Sequence, residues 1–296
     1  MARRRTDLVS RPCRIRQPGP PAAERIVAVE GRGRGLRLRL AAGSLLLTAV
    51  AEALAAAGFP GGAVVLDGLA LGPFAYVMPA LSQTPDHAAY YSETFRPAGV
   101  TRIERGAMTV GLRDGAPFFH AHALWREADG RRSGGHILPL ETRLAESAEI
   151  EAYGFAGGVF TAVPDAETGF TLFEPAAGAR PGPEVDTEVA WALRLRPNQD
   201  LAGALEAFCV ARGLGAARLH GGVGSTIGAQ FEDGTLVERF ATEVFLAGAR
   251  LEAASRGPLA LLDAGLVDFG GDLAEGRLVR GQNPVLMTFE VIVGPA

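Results

Sequence analysis

Three of the chain's five histidines, His120, His122 and His136, lie within one short stretch of sequence. Segment 118–125 is aromatic-rich and alternating, which predicts a strand whose residues 120 and 122 project to the same side, roughly 6.5 Å apart along it. Glu127-Ala128-Asp129-Gly130-Arg131 reads as a hairpin connection. A three-residue loop with Gly130 in the left-handed conformation sets His122 directly opposite His136. Opposed side chains have Cβ atoms about 4.5–5.5 Å apart, so three imidazoles at these positions can converge on one ion with Zn–N bonds of about 2.0–2.1 Å. A two-residue Asp129-Gly130 turn would shift the register by one and turn His136 away. Three protein ligands leave a fourth position open, the pattern of a catalytic zinc site, although nitrogen ligands also suit nickel, copper or iron. Gly134 and Gly135, just before His136, allow a ligand or another backbone to approach closely.

The elements that must position this set are drawn from 296 residues, 48% of them hydrophobic and 39 of them glycine, enough for one large or two ordinary cores. Every basic side chain is arginine; the chain has no lysine. Schiff-base chemistry and the P-loop both require a lysine amine and are thereby excluded. Net charge is −4, so neither nucleic acid nor membrane is demanded as a partner, but residues 1–39 hold eleven arginines against Asp7, Glu24 and Glu30. Glycine-rich 220–226 reads equally as an anion-binding loop or a tight strand-to-strand passage. Cys13 and Cys209 provide no disulfide framework, no secretory signature opens the chain, and the apolar stretch 40–66 is interrupted by Glu52 and residues 58–62. These features lead to the expectation of a cytoplasmic protein.

One plan is used twice. A strand at 36–40, a helix near 44–57 closed by Gly58 and a strand at 63–66 match a strand at 191–196, a helix carrying Leu201, Leu205, Phe208 and Cys209 on one face and closed by Gly213, and a strand at 217–220. Asn198 or Asp200 supplies the second N-cap. At one constant offset, Gly135-His136-Ile137 falls on Gly276-Arg277-Leu278 and Ala148-Glu149-Ile150 on Phe289-Glu290-Val291, while His122 meets Asp263 and His120 meets Leu261. The second copy has thus lost the histidines. The expected organisation is a basic arm at 1–35, a first unit at 36–162 with the three-His site, a linker at 163–187 and a second unit at 188–296. The expected fold class is α+β, each unit an antiparallel β-sheet with flanking helices.

His120-Ala121-His122 followed by Asp129-Gly130 and Gly134-Gly135-His136 resembles the plants-and-prokaryotes-conserved (PPC) domain family, and the chain is similar to a tandem, bacterial-type member after about residue 35. The family's Gly-Arg-Phe-Glu-Ile-Leu segment has an echo in Thr101-Arg102-Ile103-Glu104-Arg105-Gly106, where only Arg102 and Glu104 match. The resemblance implies one antiparallel sheet with flanking helices per unit, assembly into trimers, and a divalent metal on His120, His122 and His136. Gly31-Arg32-Gly33-Arg34-Gly35 carries the Arg-Gly-Arg centre of the AT-hook found in plant members but neither of its prolines.

The leading functional expectation is a zinc-dependent enzyme, a hydrolase or lyase, acting on a small anionic metabolite, since zinc-bound water has a pKa near 7. Glu104 is the candidate base and Arg102 and Arg105 the candidate anion holders. His220, Glu243, Arg277 and Arg280 are substrate-side candidates if the two units face each other, and His87 reads either as a lid residue or a group supporting the metal ligands, or as a plain exposed loop histidine. The alternative is a DNA-binding regulator that uses the arginine arm on phosphates and the metal for structure or sensing. That alternative predicts binding to duplex DNA that weakens steeply with added salt in a mobility-shift assay; a full-length chain forming no salt-sensitive complex would dismiss it.

Overall fold

A computed structural model of the chain describes residues 12–179 and 186–296. The first eleven residues of the expected arm, and Pro181-Gly182-Pro183 of the expected linker, lie outside the described residues. The chain runs through β1 (Ile26–Leu40), α1 (Leu46–Ala56), β2 (Gly61–Val65), the short strands β3 (Ala70–Leu71), β4 (Tyr76–Val77), β5 (Pro79–Ala80) and β6 (Tyr90–Tyr91), then β7 (Thr101–Arg113), β8 (Ala116–Arg126), β9 (Arg132–Ile137) and β10 (Ala148–Ala156). A hairpin of β11 (Gly158–Pro164) and β12 (Thr171–Ala177) follows. The remainder is β13 (Glu188–Leu195), α2 (Leu201–Ala211), β14 (Ala217–Gln230), β15 (Leu236–Leu246), β16 (Arg250–Ala254), β17 (Gly257–Leu261), β18 (Asp263–Asp268), β19 (Leu273–Arg277) and β20 (Val285–Pro295).

Antiparallel pairing runs in the order β9, β8, β7, β2, β10, β1 through the first part, and in the order β19, β18, β15, β14, β20, β13 through the second. The two series are joined by β1 itself. Residues 26–33 of that strand pair with β13 and residues 32–40 with β10, so one sheet continues across both.

The α+β expectation is therefore corrected: the described chain is nearly all β, with two helices of 11 residues each and 18 strands in a single sheet. The physical reason lies in segments outside the helical periods, which pair as strands with neighbours in the sheet. Residues 26–35, an apolar Ile26–Val29 run followed by Glu30 and alternating Gly and Arg, extend as strand, Arg-Gly-Arg included; 158–164 and 171–177 pair as a hairpin; 250–254 and 257–261 pair as another. Only two segments carry a helical period, and both form. Asp200 caps α2 by accepting from the Gly203 amide at 2.8 Å, while Asn198 instead bonds both backbone groups of Ile15. Gly58 and Gly213, at φ +89° and +70°, terminate the helices as expected.

Each helix covers one face of its own series. Leu46, Val50 and Leu54 of α1 pack with Ala121, Ala123 and Trp125 of β8, and Leu201, Leu205 and Phe208 of α2 pack within a second core. The opposite faces meet each other: Leu124 and Ala107 join Val223 and Phe245. Because side chains alternate along a strand, His120 and His122 share the Leu124 face of β8 and point toward the second series. Among the described residues no helix is long and apolar enough to cross a membrane.

Glycine permits the close approach of β14 to β20. A Cβ at Gly224 would sit 2.2 Å from the Thr288 carbonyl oxygen. Gly224→Ala is expected to destabilise the fold by about 1–3 kcal/mol through overpacking, read as a lowered denaturation midpoint; an unchanged midpoint would contradict this packing.

Candidate metal centre

The β8–β9 hairpin fixes the histidines. The Glu127 amide donates to the Arg131 carbonyl at 2.8 Å, leaving Ala128, Asp129 and Gly130 as the loop, with Gly130 at φ +88°. Asp129 Oδ1 accepts from the Arg131 amide, and Arg131 in turn clamps the Glu127 carboxylate. The resulting register sets His122 opposite His136, and His120 opposite Thr109 of β7. The space at Gly135 is used by backbone, since a Cβ there would lie 2.5 Å from the Val77 carbonyl oxygen of β4.

The three rings converge. His122 Nε2 lies 3.1 Å from His120 Nε2, 3.2 Å from His136 Nδ1 and 2.9 Å from Glu243 Oε2 of β15. One ligand atom from each of these four residues falls within 4.8 Å of the others. Tetrahedral bonds of roughly 2.0–2.1 Å place ligand atoms about 3.3 Å apart, which matches the spacing around His122.

The other ring nitrogens decide where the lone pairs point. His122 Nδ1 faces the Val244 carbonyl oxygen at 3.0 Å and must donate to it. His120 Nδ1 bonds the carboxylate of Glu290 on β20. In neutral rings so held, both Nε2 atoms carry bare lone pairs aimed at the same point as the Glu243 carboxylate. A proton on one ring satisfies one such contact; a divalent cation satisfies all four. The donor set therefore fits a metal.

Burial alone would depress His120, but the charge and hydrogen bond of Glu290, with Glu243 behind them, hold its pKa above the ordinary imidazole value. His136, buried without an acidic partner and beside two other imidazoles, is pushed well below it. Glu290 is steadied in turn. Thr288 Oγ1 donates to it at 3.1 Å, Arg194 Nε donates to Thr288 at 3.2 Å, and the buried Arg194 guanidinium pairs with Asp165 at 2.5 Å and Glu174 at 2.9 Å. Burial would raise Asp165, but Arg194, the Thr168 amide and Arg196 hold its carboxyl below the usual range.

Of the residues expected at the site, the structure brings together His120, His122, His136 and Glu243. It does not bring the others. Glu104 pairs with Arg132 and Arg126, and the hydrogen bond from Arg132 foremost lowers its pKa, opposite to what a general base needs. Arg102 pairs with the exposed Glu146, and Arg105 reaches the Ala247 carbonyl and Glu275. Arg280 is held by Glu206. Arg277 and Asp263, which the offset sets against His136 and His122, lie opposite each other on β19 and β18 and form a two-point ion pair at 2.9 Å. His220 stacks on Tyr153 with ring centroids 3.7 Å apart. His87 packs between Phe170 and Tyr90 on the wall of a cavity of about 510 Å³, whose lining also includes His120, His136, Glu243 and Glu290.

Sequence reading missed Glu290 and Arg194. Their signal was a charge inside an otherwise apolar strand, since a buried charge persists only where it is paired.

No family model matches the chain, and no curated protein does. Among solved structures, it is similar to the metal-containing protein AF0104 from Archaeoglobus fulgidus at 23% identity and a TM-score of 0.37, covering 48% of this chain and 94% of that one. A PPC protein from Pyrococcus horikoshii matches at 23% identity and a TM-score of 0.38, covering 49% and 94%. A candidate DNA-binding protein from Ralstonia eutropha JMP134 matches at 14% identity and a TM-score of 0.33, covering 47% and 89%.

Burial, then the charge of Arg218, pushes the His220 pKa down to about 4. The unfolded chain binds that proton near pH 6.5 while the folded chain does not, so stability falls as pH drops from about 6.5 to about 4, by on the order of 2–3 kcal/mol. His220→Phe keeps a ring against Tyr153 and is expected to flatten this acid limb in denaturant titrations across that window. A limb as steep as that of the unaltered chain would contradict the assignment.

Proposed function

We propose that the chain is a metal-binding protein in which His120, His122, His136 and Glu243 hold one divalent ion, best matched by zinc, and that it is an enzyme acting on a small anionic metabolite. The observation that carries this reading is the crowding around His122 Nε2, where three further ligand atoms stand 2.9–3.2 Å away. When bound, the ion would supply a Lewis acid, able to polarise a carbonyl oxygen or lower the pKa of water, with Glu243 as the donor that gives up its position while the three histidines keep the ion. The chain's own residues orient and shape. Val244 and Glu290 fix the ring tautomers, and Glu243 brings a carboxylate from the second strand series to the edge of the cavity.

The same reading treats residues 36–162 and 188–296 as two PPC-type units in one chain. It is supported by the His-x-His, Asp-Gly and Gly-Gly-His pattern and by the matching order of the two strand series. The second unit then contributes Glu243 and Glu290 to the first unit's histidines. Trimeric assembly belongs to this reading as well, and light scattering on the purified chain tests it.

The full chain purified with zinc is expected to hold one equivalent of metal. His122→Ala should abolish both metal content and turnover, while Glu243→Gln should retain the ion on the three histidines with weakened affinity, judged by chelator competition. Stoichiometric zinc in the His122→Ala variant would refute the ligand set.

A further inference from the structure

On the face of β8 that carries His120 and His122, the next residue toward the strand's start is Phe118, roughly 6.8 Å along the strand from His120. Phe118 pairs with Gly111 of β7, and Arg113, two residues further on, lies diagonally across from it with its guanidinium carbon 5.3 Å from the Phe118 ring centre. Arg113, Phe118, His120 and Glu243 all line the same cavity. Among the described residues of that lining, Arg113 carries the one guanidinium. It is scarcely engaged: its nearest carboxylate, on the solvent-exposed Asp114, is 3.9 Å away, whereas Arg102, Arg132 and Arg277 hold carboxylates at full hydrogen-bond distance. Along β8, the apolar ring of Phe118 stands between cluster and guanidinium. Phe118 and Phe173 meet edge to face, and across from them Tyr91 lies against His136 and Phe170.

We propose that this cavity takes an elongated organic dianion, with one carboxylate at the histidine–glutamate cluster, the other on Arg113, and a hydrocarbon middle along Phe118. The planar fork of a guanidinium suits a carboxylate, the aromatic wall suits methylene groups, and the two cationic anchors, the ion and Arg113, stand one at each end of the ligand. The inference rests on the metal reading and adds the second anchor and the length of the ligand.

The test is calorimetric titration of the zinc-loaded full chain with the linear diacids from malonate to suberate, alongside the monoacid of matching length, with metal content assayed on every sample. Affinity should peak at an intermediate diacid and exceed that for the matching monoacid about tenfold or more. Arg113→Gln should erase both the peak and the diacid advantage while leaving metal content unchanged. A zinc-loaded protein whose diacid affinities show no length optimum, or whose optimum survives Arg113→Gln, would overturn the proposal. A wild-type chain that holds no divalent ion would overturn the metal reading beneath it, so the two failures are distinguishable.

Discussion

Lone pairs that face one another repel unless a cation stands between them, and at His122 the fold forces that confrontation. Its Nδ1 faces the Val244 carbonyl, so in the neutral ring its Nε2 lone pair meets two imidazole nitrogens and a carboxylate oxygen. The hairpin loop, the glycine that admits β4 behind His136, and the meeting of the two strand series all serve to bring these atoms within 4.8 Å. The cluster draws on both series. The imidazoles come from β8 and β9, and the carboxylates from β15 and β20.

The buried charges behind the cluster obey the same logic. A buried ion pair adds little net stability against an apolar replacement, while removing one partner typically costs about 3–5 kcal/mol. The chain of Asp165, Arg194, Thr288 and Glu290 is therefore better understood as orientation than as adhesion. It holds one carboxylate at the back of His120 so that the front of that ring faces the shared point. In the second series Asp263 and Arg277 stand opposite each other on β18 and β19 and form an ion pair that neutralises itself.

Local patterns made part of this legible. Alternation around His120, the loop chemistry of Asp129-Gly130 and the capping residues of α1 and α2 are all short-range signals, and the register that sets His122 against His136 followed from them. Long-range partnership left no such trace. That β1 would begin at Ile26 and bridge both series depends on pairing with β13, more than 150 residues away, and alternating Gly and Arg looked as much like a solvated arm as a strand. Glu243 was a candidate only on condition that the two series face each other, and Glu290 was visible in the sequence solely as a charge in an apolar run. The helical weight in the expected fold class failed for a related reason: the one helix in each strand series has a strong local period, whereas the weakly patterned stretches form strands only through distant partners.

X-ray absorption at the zinc edge of the zinc-loaded full-length chain tests the central claim most directly. The account predicts a first shell of nitrogen and oxygen at about 2.0–2.1 Å, with the outer-shell scattering of three imidazoles and a single carboxylate donor. A shell of oxygen donors without imidazole scattering, or one containing sulfur, would contradict it.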